Sequence, residues 1–240
     1  MTKDQGAPAR LSRERLIICS VLAIIVLAGA VGMWPDLAAS RVDLNDNVSH
    51  FAMIERIVQT VERGGNPLDT WSPEWTFGFP VLRVYQPLAH LLTAAIYFLL
   101  GKTVALMTVF AWVRFLAVVL LPLSFYATAR LLRLPVPAAL AAAVLCPLIS
   151  STGLYGLEYG SYVWAGNGLF PQAVAAHLFL LSLGFGYRAV REGTRLTTAG
   201  VFLALTFLAH LIFGYMGALS LCLLAVLPDA KAPRGQRRAR

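Results

Sequence analysis

The sequence predicts an all-α, polytopic transmembrane helical bundle of about six spans, with a long first extracytoplasmic loop that contains an amphipathic juxtamembrane helix. Three observations lead there. Of the 240 residues, 58% are hydrophobic and only 13% are charged, whereas a soluble domain carries about a quarter charged residues. Between Val84 and Tyr187 the only charged side chains are Lys102, Arg114, Arg130, Arg133 and Glu158, too few to build a water-facing surface. The apolar runs are long and lack the alternating segments of about ten residues that barrel strands need. In lipid, such runs satisfy their backbone as helices.

The first run, Leu16 to Trp34, follows Arg10, Arg13 and Arg15. A basic stretch followed by Ala28-Gly29-Ala30 also resembles a cleavable signal peptide. The run is long for that purpose and further spans follow, so a retained anchor is expected. Further runs cover 84–101, 103–129, 135–150, 169–187 and 197–228. The expected organisation is a basic cytoplasmic N-terminus at 1–15, a transmembrane domain at 16–228 and a basic cytoplasmic tail at 229–240. Basic flanks mark the cytoplasmic face, and an even number of spans agrees with two cytoplasmic termini in a bacterial plasma membrane. Simple alternation, however, places Arg130, Arg133, Arg188, Arg191 and Arg195 outside. Two changes relieve the conflict: the run at 84–101 does not cross fully, and 197–228 is two short helices broken near Gly214.

The net charge of +8 lies largely at the two ends of the chain. It fits contact with anionic membrane lipid and no nucleic acid. Cys19, Cys146 and Cys222 all sit in apolar runs, where thiols act as small hydrophobes; no disulfide framework or CxxC pair is present. P-loop, GxGxxG, HExxH and GxSxG motifs are absent.

The loop from Pro35 to Gln86 holds Asp36, Asp43, Asp46, Glu55, Glu62, Asp69 and Glu74, seven of the chain's 12 acids. Its acidity after a basic-flanked span places it outside the cytoplasm. Within it, His50 to Arg63 reads as a surface helix, with Phe51, Ile54, Ile57, Val58 and Val61 on one face. Asp46, Asn47 or Ser49 could cap it, and Gly64-Gly65 ends it. A helix of this kind beside a span lies along the interface.

Chemistry concentrates in the same loop. Helical spacing stacks Asp43, Asp46 and His50 on one face. Asp43, Asp46 and the His50 imidazole could bind a divalent cation through oxygen and nitrogen ligands, or one of the carboxylates could act as general base for a hydroxyl. The competing reading makes both acids solvated residues that favour a helix start, with His50 at the polar edge of the helix. Arg83 and Tyr85 stand where the loop re-enters the membrane; arginine suits phosphate but also snorkels. Trp71 and Trp75 read as interfacial anchors, with Trp71 also a substrate-contact candidate. Glu158, in a Gly- and Tyr-rich stretch, and His210, in the last long run, are ionisable groups near or within apolar segments. Arg114 needs a partner, with Glu158 or the loop acids in reach, and His90 and His177 are weaker candidates. Asn47-Val48-Ser49 also fits a glycosylation sequon.

The order Asp43…His50, an amphipathic helix, Gly65-Asn66-Pro67…Trp71, then Gly78-Phe79-Pro80…Tyr85-Gln86-Pro87-Leu88 resembles a family of membrane proteins labelled 6-pyruvoyl-tetrahydropterin synthase-related. Phe170-Pro171-Gln172-Ala173-Val174-Ala175 and Leu208-Ala209-His210 also resemble it. That family is similar to the GT-C class of membrane glycosyltransferases, which move a sugar from a polyprenyl-phosphate carrier at the outer membrane face. The resemblance implies Asp43 or Asp46 as the catalytic or metal-binding acid beside a juxtamembrane helix, and Arg83 near the carrier phosphate. It implies a glycosyltransferase-like protein of cell-envelope biosynthesis, alone or with a partner membrane subunit. The alternative is a non-catalytic integral membrane scaffold or a fragment of such an enzyme. A transporter is weaker, because no paired halves are visible.

Overall fold

The computed structural model describes residues 13–39, 46–73, 75, 77–148 and 170–227. Asp43 and Glu158 lie outside the described residues. The described chain is all-helical: α1 (Arg13–Ala39), α2 (Asp46–Glu62), α3 (Val81–Val84), α4 (Leu88–Leu99), α5 (Leu106–Val119), α6 (Leu121–Leu131), α7 (Val136–Leu145) with a 3₁₀ turn at Cys146–Leu148, α8 (Phe170–Glu192), α9 (Leu196–Ala209) and α10 (Leu211–Val226).

Two or three candidate membrane-spanning helices are present among these residues, not six. α1 and α8 are long and apolar enough to cross, and α5 with α6 makes a third if the 41° bend between them is one span. The correction has a physical cause: a long apolar run need not be one straight helix. The run at 84–101 yields only the 12 residues of α4, about 18 Å of helix against a hydrocarbon core of about 30 Å. The run at 103–129 bends at Leu120, where Pro122 enters the first turn of α6 and has no N–H to continue the ladder. The run at 197–228 breaks at His210, four residues before Gly214. His210 is extended, and its side chain accepts from the Phe213 N–H to cap α10. Gly214 serves the same junction: a Cβ there would meet the Phe207 ring at 2.4 Å.

Contacts give the bundle two chemically distinct ends. His50 bonds His90, and Glu62 pairs with Lys102 at 3.0 Å. Both pairs are forty residues apart, so α4 runs alongside α2 and does not carry the chain away from it. Phe110 near the start of α5 and Phe170 at the start of α8 join this layer, their rings 5.0 Å apart. We call this the histidine end. Met33 and Leu37 of α1 pack with Phe115 and Ala173, so the second half of α1 lies toward the same end, and Arg13 and Arg15 begin the helix at the other.

The opposite, arginine end gathers the termini of α6, α8 and α10. Arg133 pairs with Glu192 at 2.9 Å, Arg188 donates to the Leu131 carbonyl, and Arg191 donates to the Leu227 carbonyl. α9 and α10 therefore form a helical hairpin that leaves and returns to the arginine end, with His210 at its tip. Run 84–101 thus holds a helix shorter than a candidate span, and run 197–228 is two short helices.

The α5–α6 bend is stapled from α8. His177 Nε2 lies 2.6 Å from the Ala117 carbonyl and its Nδ1 lies 2.7 Å from Ser124 Oγ. A carbonyl only accepts, so Nε2 carries the proton; in the neutral ring Nδ1 then accepts from the Ser124 hydroxyl. One histidine thus satisfies a carbonyl at the break and ties α6 to α8, where lipid offers no hydrogen bonds.

Outward faces are apolar. Ile24, Leu27 and Val31 of α1 and Ile212, Leu219 and Leu223 of α10 are exposed. Exposed apolar faces of this kind are suited to lipid and not to water.

Candidate functional site

α2 begins at Asp46, four residues before the expected start, which places Asp46 in its first turn rather than ahead of it. An acid there is favoured by the helix dipole. The buried face is Asn47, His50, Met53, Ile54, Ile57 and Val58. The expected apolar stripe is present, but it continues upward into polar residues. His50 is 5% exposed, so it sits inside the packing and not at the polar edge.

His50 is the centre of the site. Its Nδ1 lies 3.1 Å from His90 Nε2, so one ring donates and the other accepts. Tyr85 stacks at a tilt against His50, centroids 5.9 Å apart, and meets His90 edge-on at 5.8 Å. Phe170 closes the other side at 5.9 Å from His50 and 5.7 Å from His90. Burial, then repulsion from His210, pushes His50 down to about 4, so its ring is neutral at neutral pH. Burial, then the charge of Asp46, raises the Tyr85 phenol, which keeps it a proton donor.

The structure thus brings His50 and Tyr85 into contact, with His210 close enough to act on His50 and Asp46 on Tyr85 through their charge. It does not add Arg83 or Trp71 to that group. Arg83 pairs with Asp69 at 2.9 Å, both side chains more than half exposed. Trp71 covers Gly78, where a Cβ would fall 2.3 Å from the indole and where φ is +110°. That contact and the mutual backbone bonds of Ser72 and Phe79 fold residues 71–80 into a compact outer loop. Arg114 is 3% exposed and lies with its guanidinium 5.1 Å from the centre of the Phe110 ring, a cation–π contact.

Among the described residues, no group of three His, Cys, Asp or Glu side chains could hold a metal ion. Asp43, the expected second cation ligand, lies outside the described residues, and the Nδ1 of His50 is committed to His90.

One residue of the site was under-read from sequence. His90 is fully buried and completes the pair. Its signal was a polar ring in an apolar run, which is unfavourable there unless bonded. Trp75 lines a cleft of about 170 Å³ with Glu55, Arg56, Gln59 and Ser72, on the face of α2 opposite His50.

Below the histidine pair is a groove of about 580 Å³. Leu88, Leu92 and Ile96 of α4 form one wall, Val113 and Leu116 of α5 another, and Val174 and Leu178 of α8 a third. Val174 is one helical turn from Phe170. The groove is open on one side, where Leu92, Leu116 and Leu123 are exposed, and its polar atoms come from Ser124 and His177 in an otherwise apolar lining.

No family model, curated protein or solved structure matches the chain.

A pH dependence follows from His50. Its pKa is lower folded than unfolded, so between about 4 and 6.5 the unfolded chain binds more protons. Stability from this group is therefore present above about 6.5 and falls as pH drops toward 4, by roughly 1.4 kcal/mol per pH unit. Thermal unfolding in detergent from neutral to acidic pH is expected to show at least this slope, and His50→Gln is expected to reduce it by one proton's share, the buried His90 supplying the rest.

Proposed function

We propose that this chain is a glycosyltransferase-like membrane protein that moves a sugar from a polyprenyl-phosphate carrier in cell-envelope biosynthesis. Its histidine end faces outside and both termini are cytoplasmic in a bacterial plasma membrane. The observation that carries the reading is the apolar groove ending one helical turn from the histidine cluster. A lipid-linked donor needs a slot for the chain within the bilayer and acid–base groups near its end. The sidedness rests on Arg13, Arg15, Arg130, Arg133, Arg188 and Arg191 sharing one end. The residue order that resembles the 6-pyruvoyl-tetrahydropterin synthase-related family, and through it the GT-C class, agrees with the same reading.

In this reaction Asp46 takes the proton of the acceptor hydroxyl as its oxygen bonds to the sugar's anomeric carbon. The bond from that carbon to the carrier phosphate breaks, and the phosphate leaves with the electron pair. Tyr85, half-buried and kept a proton donor, bonds the reacting groups, and the buried His50–His90 pair holds its ring in place. Exposed Asp46 is open to an acceptor arriving from water.

The test uses purified protein in bilayers with a radiolabelled polyprenyl-phosphate sugar and a membrane acceptor fraction. Label is expected to move to the acceptor, and Leu178→Trp, which fills the groove, is expected to reduce transfer at least tenfold by raising KM. Absence of both transfer and carrier binding would overturn the proposal. A non-catalytic scaffold is the second reading, favoured by the near-complete burial of the His50–His90 pair. It expects carrier binding without transfer.

A further inference from the structure

We infer a second, separate binding site at the arginine end, for the phosphate-bearing headgroup of an anionic membrane lipid, built by Arg130, Arg133 and Arg188. These side chains line a cleft of about 500 Å³ together with Ala127, Leu131, Leu181 and Phe185. Arg130 and Arg133 come from the end of α6, and Arg188 comes from the end of α8, more than fifty residues later.

The cleft is organised. Glu192 receives two bonds from Arg133, at 2.9 and 3.1 Å, and one from Arg188 at 2.7 Å. Arg188 also donates to the Leu131 carbonyl at 2.9 Å, and Arg130 to the Leu134 carbonyl at 2.6 Å. Each guanidinium carries five donors, and these bonds use two of Arg133, two of Arg188 and one of Arg130. One carboxylate thus orients two arginines without neutralising the three. Planar, oriented guanidinium groups suit phosphate oxygens.

α6 ends in a Schellman motif, with Leu134 N–H bonded to Ala129 O and Arg133 N–H to Arg130 O. The residue in the left-handed position of that motif is normally glycine; here it is Arg133, at φ 65°. From that position the Arg133 side chain reaches Glu192 of α8.

The lower wall decides between a lipid and a soluble phosphate. Leu181 and Phe185 belong to the span α8, so a ligand filling the cleft must be polar at one end and apolar below. A headgroup with the first carbons of its chains has that form, and basic clefts between spans at a cytoplasmic face are suited to it.

The test measures lipid retention by native mass spectrometry, with full-length protein from mixed micelles of equal parts phosphatidylcholine and phosphatidylglycerol. Wild type is expected to retain phosphatidylglycerol selectively. Arg133→Gly removes the guanidinium while giving the backbone its preferred residue, so unfolding in phosphatidylcholine alone is expected to be unchanged while affinity falls about fivefold. Arg191→Ala removes the same charge at the same end but outside the cleft, and is expected to leave affinity unchanged. Equal losses in both variants, or no preference for phosphatidylglycerol in wild type, would overturn the site. Inorganic phosphate is expected not to displace the lipid; full displacement would assign the cleft to a soluble phosphate and overturn the lipid proposal.

Discussion

Asp46→Asn is expected to reduce sugar transfer by about 10²- to 10⁴-fold, the usual contribution of a positioned general base, with membrane insertion unchanged. The side chain is exposed in the first turn of α2, so the substitution keeps its shape and disturbs no packing. Loss of the charge at a helix N-terminus removes only about 0.3–1 kcal/mol. A fall in kcat with little change in KM would identify Asp46 as acting in the transition state. Asp43→Asn is the companion variant. A loss confined to Asp43→Asn would transfer the role to that residue, and full activity in both would remove the proposed chemistry altogether.

Phe110→Ala is expected to destabilise the fold by about 3–5 kcal/mol, the range for a buried aromatic truncated to alanine. Phe110 is fully buried. Its ring meets Phe51 at 5.7 Å, Phe170 at 5.0 Å and the Arg114 guanidinium at 5.1 Å. It therefore joins α2, α5 and α8 and holds Arg114 against a ring face. Removal leaves a cavity whose cost does not depend on whether the outer solvent is lipid or water. Unfolding in detergent compared with Leu219→Ala, on the exposed face of α10, measures the effect. A cost below about 1 kcal/mol would mean that the aromatic cluster collapses into the gap and does not frame the histidine pair.

Some of the site was legible because it depended on local pattern. The spacing of Ile54, Ile57 and Val58 revealed α2, and the concentration of acids and aromatics before Pro87 marked the loop. Other parts were hidden because they depended on partners. His50 looked like a polar edge residue until His90 supplied its bond from another helix. Arg83 looked like a phosphate clamp, but Asp69 occupies it in an exposed pair. His177 looked like an unremarkable histidine in a span until the broken ladder at Leu120 gave it a carbonyl to bond.

The amino-acid sequence by itself determined that this chain is helical and apolar, that its charge is gathered in clusters, and that one loop carries most of its acids. Those properties follow from composition and period, which each segment expresses alone. Only the tertiary structure decided how many runs are straight enough to cross and which clusters share an end. Helix breaks at Leu120 and His210 depend on whether freed backbone groups find partners. The meeting of Arg130 and Arg133 with Arg188 depends on how α6 and α8 pack. Pattern encodes what a segment prefers; contacts between segments decide where it ends and what it faces.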